Sequence, residues 1–130
     1  MFSAKKALHV YKGVDVDAKA EFANPYELTQ MLFDGALKSL ALVSVLIERK
    51  EWPECSKEVS RSVGIINGLK NSLDLSRGEL AENLFQLYSY MMTELMRAYK
   101  EKDVDAIRAV RKLLSEINDA WSQIPVEYRG

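Results

Sequence analysis

Twenty residues, Leu28 to Ile47, carry only two charges, Asp34 and Lys38, and they constrain this chain most. Their spacing is helical. Leu28, Leu32, Gly35, Leu42 and Leu46 fall on one stripe, and Phe33, Leu37, Leu40 and Ile47 on a second. Glu27, Gln30, Asp34 and Lys38 form a narrow polar edge, with Asp34 and Lys38 placed for a favourable pair one turn apart. A surface helix needs one apolar face, whereas a helix apolar nearly all round is buried. The stretch is close to the ~20 residues that cross a bilayer. Asp34, Lys38, Gln30 and Gly35 interrupt it, and a charge at the bilayer centre costs several kcal/mol. The expectation is the central helix of a bundle, not a membrane span.

A chain of 130 residues is one domain with enough length to bury a core. Its net charge of −1 and scattered basic residues point away from nucleic acid and anionic membranes. One cysteine, Cys55, excludes an intrachain disulfide and fits a reducing compartment. Lys5 and Lys6 are followed by no apolar segment, so no secretory signal is expected and the cytoplasm is the expected location.

Residues 1–23 hold no sustained period and are expected to form a flexible N-terminal arm, either frayed or docking Tyr11 and Val14 on the bundle. The bundle is expected over residues 24–125. Asn24 is a good N-cap, Pro25 suits the first helical position, and Glu27 can reach back to the cap amide. The first helix is expected to run to about Lys50, before the break at Trp52-Pro53. A second is expected from about Pro53 to Leu73, with Val59, Val63, Ile66, Leu69 and Leu73 as its stripe. Gly64 and Gly68 share a face, which either admits a close neighbour or weakens the helix.

Ser76-Arg77-Gly78-Glu79 fits a capping box opening a third helix that runs to about Lys100. Leu80, Leu84, Leu87, Met91, Leu95 and Ala98 form its stripe, and Tyr88, Met92 and Tyr99 add a flank. Asp103 caps a fourth helix striped by Val104, Ile107, Val110, Leu114, Ile117 and Trp121, which Pro125 ends; 126–130 is a polar tail. Four long amphipathic helices with short connections predict an all-α, antiparallel up-down four-helix bundle.

Chemistry is hard to place on this frame. A di-iron bundle needs Glu-x-x-His pairs, and the only histidine, His9, precedes all four helices. Cys55 sits near a helix start, which favours a thiolate, but no histidine on the bundle can serve as its base. No phosphate-binding glycine loop or metal-ligand spacing occurs. No catalysis and no cofactor are expected. What remains is surplus apolar surface on helices 1 and 3, either a fat core or a surface for an amphipathic partner.

These residues resemble a known family. Asn24-Pro25-Tyr26-Glu27-Leu28 followed by Met31-Leu32-Phe33-Asp34-Gly35-Ala36-Leu37 is similar to the first-helix signature of the flagellar export chaperone FliS. Tyr11 and Val14, Ile65-Ile66, Leu73-Asp74, Asn83-Leu84, Leu87-Tyr88, Tyr90-Met91, Leu113-Leu114 and Ala120-Trp121 continue the likeness in order. Asn24 stands for the usual Ser, Thr29 for a common apolar residue, Ser89 for the usual Asp, and Gly78 for two glycines.

The resemblance implies a cytoplasmic export chaperone that binds the disordered C-terminal segment of flagellin. It would prevent early polymerisation and aid delivery to the flagellar export gate, as a monomer or weak dimer. An ordering client laid in an apolar groove would suit such a role. The residues so implied for client contact are Tyr11, Val14, Leu32, Phe33, Leu37, Tyr88 and Met91. The competing expectation is a structural adaptor or homodimerising bundle whose surplus stripe serves self-association.

Overall fold

The computed structural model describes residues 24–123. They form four α-helices: α1 (Pro25–Glu48), α2 (Trp52–Asn71), α3 (Glu79–Glu101) and α4 (Val104–Ser122), with a 3-10 turn at Leu75–Arg77. Tyr11, Val14 and the whole N-terminal arm lie outside the described residues, as do Pro125 and the tail.

The helices form a ring, α1 packing on α2 and α4, and α3 on α2 and α4. Contacts along α1 show the directions. Tyr26 hydroxyl donates to the Trp121 carbonyl, Gln30 Nε2 to Asn118 Oδ1, Arg111 Nε to the Leu37 carbonyl, and Arg108 pairs with Glu48. As α1 ascends, α4 descends. The architecture is the expected antiparallel four-helix bundle.

The first helix is central because it is apolar on two sides. Leu32, Ala36, Leu40 and Val43 are fully buried, and Phe33 is 1% exposed. By length and composition α1 could cross a membrane, but half of its most apolar window is buried inside the bundle. Asp34 does not pair with Lys38 as expected; it accepts a hydrogen bond from Gln30 Nε2 at 3.0 Å.

Local rules explain the helix ends. Asn24 Oδ1 accepts the Glu27 amide at 2.8 Å, and Glu27 Oε1 accepts from the Asn24 side-chain amide. The helix stops at Glu48, short of the expected Lys50, because Lys50 turns left-handed at φ 57° and the Glu51 amide bonds back to the Leu46 carbonyl. Lys102 repeats the device after α3, and its Nζ lies 4.7 Å from the Trp52 ring, tying that loop to the start of α2.

The expected capping box at Ser76 does not form. Asp74 Oδ1 accepts the Ser76 amide at 3.1 Å and holds Ser76 in the 3-10 turn. Gly78 follows at φ 103°, a backbone setting that favours glycine, and Glu79 becomes the first residue of α3 rather than its third.

Asp103 caps α4, its Oδ1 accepting the Ala106 amide at 3.1 Å. That bond and the Arg97 guanidinium hold its carboxyl below the ordinary range. A depressed folded-state pKa gives stability that is present above the unfolded value and lost as pH falls through the folded one. Asp103→Asn keeps an uncharged cap, so it is expected to lose less melting temperature than the parent protein between about pH 4 and pH 2. Melting curves across that range, followed by circular dichroism, check this.

Between α1 and α2 the core contains polar groups. Ser39 Oγ donates to Glu58 Oε2 and lies 2.7 Å from Ser62 Oγ, while Ser62 Oγ donates to the Glu58 carbonyl at 2.9 Å. All three residues are buried. Arg61 Nη1 stands 3.7 Å from the other Glu58 carboxylate oxygen.

Candidate protein-binding grooves

At one end of the bundle the start of α1, the end of α2, the start of α3 and the end of α4 converge. A groove of about 350 Å³ opens there, lined among others by Thr29, Phe33, Leu73, Leu84, Tyr88 and Trp121. Its floor is aromatic. Tyr26 stacks on Trp121 with ring centroids 5.0 Å apart, and Phe33 meets the same indole at 6.3 Å. Leu80, on the rim, is 72% exposed. Burial pushes the Tyr88 phenol above its usual pKa, so it stays neutral.

A second, shallower groove of about 490 Å³ runs between α2 and α3. Val59, Val63, Met92, Met96 and Tyr99 give it apolar walls. Met96 is 61% exposed. Flexible thioethers suit a surface that must fit an irregular apolar partner.

The sequence-derived contact residues separate in the fold. Phe33 and Tyr88 come together at the end groove. Leu32 and Met91 are fully buried in the core cluster. Leu37 is half-buried, packs against that cluster and lines neither groove. The contact set expected from the sequence omits Leu73, Leu80, Leu84 and Trp121, although all four lie on the predicted stripes. The sequence did mark Met92 and Tyr99 as a surplus flank of α3, and both line the second groove. Periodicity alone does not separate Met91 from Met92, because adjacent helical positions differ by about 100° and the width of the neighbour decides which is covered.

The expectation that Cys55 gains thiolate character does not hold. It is fully buried, and burial together with the Glu58 charge raises its pKa. Its own amide bonds to the Glu51 carbonyl as part of the helix. Among the described residues no group of three His, Cys, Asp or Glu side chains could hold a metal ion.

A helical bundle that presents apolar grooves is a protein-binding module in form. The comparisons supply the family. Residues 7–128 match the family model for flagellar protein FliS. The chain is 38% identical over 122 residues to flagellar secretion chaperone FliSB of Pseudomonas aeruginosa, covering 93% of this chain and 97% of that protein. It is 38% identical over 126 residues to the flagellar secretion chaperone FliS of Salmonella typhimurium, covering 95% and 93%. Against the flagellar secretion chaperone FliS of Bacillus subtilis the identity is 30% over 101 residues, covering 78% and 75%. This chain belongs to the FliS family of flagellar secretion chaperones.

Proposed function

We propose that the protein is a cytoplasmic chaperone without catalytic activity that holds the disordered C-terminal segment of flagellin, keeps it from polymerising and passes it to the export apparatus. The end groove is the observation that carries this reading: an open apolar trough whose rim includes a leucine 72% exposed. Such a surface needs an apolar occupant. A client that orders on binding gives up part of the gross interaction energy, which favours release at the export gate.

Leu80, Leu84 and Trp121 contact the client in this scheme, over a floor that the buried Phe33 and Tyr88 supply. Met92, Met96 and Tyr99 receive a second apolar piece of the same segment. Leu32 and Met91 act from beneath, by fixing the groove walls. Tyr11 and Val14 of the arm contact the client or compete with it. Thr29, where family members commonly carry an apolar residue, lines the end groove and tunes what side chain fits there.

Leu80→Glu tests the site. Leu80 is the second residue of α3, where a carboxylate is favoured by the helix dipole, so the melting temperature is expected to stay unchanged. Affinity for a flagellin C-terminal peptide, measured by isothermal titration calorimetry, is expected to fall by about tenfold or more, as at an interface anchor. Unchanged affinity with saturable binding would move the client off this groove. No binding of the peptide to the parent protein would reject the function itself.

A further inference from the structure

Among the described residues one buried side-chain polar atom meets no hydrogen-bond partner, Trp121 Nε1. Such groups are rare in folded chains, and each needs a reason. An indole N–H can only donate. This one bonds to none of the hydroxyls that line the end groove with it, those of Thr29, Ser72 and Tyr88.

The indole is fixed where it is. Tyr26 stacks on the ring 13° from parallel, and Phe33 lies tilted against it at 39°. The Tyr26 hydroxyl donates to the Trp121 carbonyl at 3.4 Å, so one tyrosine holds both ring and backbone. Turning the N–H out to water would give up the stacking. The free protein thus carries a desolvated donor, and an acceptor supplied by an occupant of the groove relieves it.

The groove selects the kind of acceptor. Leu69, Leu73, Leu80, Leu84 and Ile117 wall it, and no charged side chain lines it. A carboxylate seated there would lose its water with no cation to replace it, whereas a neutral amide oxygen loses far less. Every residue of a peptide carries such an oxygen on its main chain, and Asn and Gln carry a second.

We propose that Trp121 is the polar anchor of the end groove: its Nε1–H donates to an amide carbonyl oxygen of the bound client, from the main chain or from an Asn or Gln side chain. The inference rests on the reading of this groove as the client site. Seating the client parts the side chains that cover Nε1 in the free protein, and the new bond takes the place of their contact. Leucine-rich walls accept apolar residues in many registers, and a single directional bond fixes one of them. The donor is unpaired in the free chaperone and paired in the complex, so relief of that penalty adds to affinity.

Nuclear magnetic resonance on the isotope-labelled full chain tests it, with a synthetic peptide of the flagellin C-terminal segment as probe. The two tryptophans, Trp52 and Trp121, give two indole signals, and Trp52→Phe assigns them. At saturation the Trp121 indole proton is expected to move downfield. Replacing Trp121 by benzothienylalanine keeps the size and stacking of the ring and removes the N–H. Peptide affinity, by isothermal titration calorimetry, is then expected to fall about tenfold, while the melting temperature holds or rises because an unpaired donor has gone. Alanine at each Asn and Gln of the peptide separates the two sources. One such change abolishes the downfield shift if a side-chain amide serves, and none does if the main chain serves. An indole signal unmoved by saturating peptide overturns the inference and leaves the client reading standing, as does unchanged affinity of the benzothienyl protein. An indole proton already downfield in the free protein overturns it too. A peptide that does not bind the parent protein removes the client reading and this inference together.

Discussion

Phe33→Ala is expected to lower the free energy of unfolding by about 3–5 kcal/mol, the cost of lost transfer energy plus the cavity left behind. Phe33 heads the fully buried side chains by volume and is 1% exposed. It sits where α1, α2, α3 and α4 converge, with the Trp121 ring 6.3 Å away. The neighbours cannot close the gap without moving that indole, which is itself stacked on Tyr26. Domains of this size hold roughly 5–15 kcal/mol in all, so the variant stands near the edge of folding. Urea unfolding, with midpoint and slope both fitted, measures the loss. Were Phe33 chiefly a client contact, the midpoint would stay in place and only peptide affinity would fall. A drop below about 1 kcal/mol would assign it that surface role instead.

The second large effect is expected from Ser39→Ala. The hydroxyl donates to a buried carboxylate oxygen of Glu58, and hydrogen bonds to charged groups are worth about 1.5–3 kcal/mol. No water can replace the lost donor easily, because Ser39 and Ser62 are both buried. Unfolding free energy is expected to fall by that amount. The triple variant Ser39→Ala/Glu58→Met/Ser62→Ala should recover most of it, since removing every partner leaves no stranded charge. Failure of the triple variant to recover would mean that the polar cluster sets the register of α1 on α2, a role apolar packing cannot supply.

These two expectations mark where sequence and structure divide. Periodicity and caps suffice for the four helices, because both depend on residues within a turn of one another. Asn24 and Asp103 cap as their identities require, and α1 is central because its apolar arc is too wide for one neighbour. The ordered motifs from Asn24-Pro25 to Ala120-Trp121 likewise carried the family. Where a local rule had competition, it failed. Ser76 lost its capping role to Asp74, whose shorter-range bond closed a 3-10 turn first. Asp34 turned to Gln30 rather than Lys38.

The sites were a different matter. Hydrophobicity alone does not distinguish a leucine that is covered from one that waits for a partner. Tertiary packing made that choice, burying Leu32 and Met91 completely while leaving Leu80 and Met96 in the open. The physical reason is that coverage is a property of neighbours. A stripe on one helix becomes core or surface only when the widths and crossing of the adjacent helices are set, and those arise from residues far away in the chain.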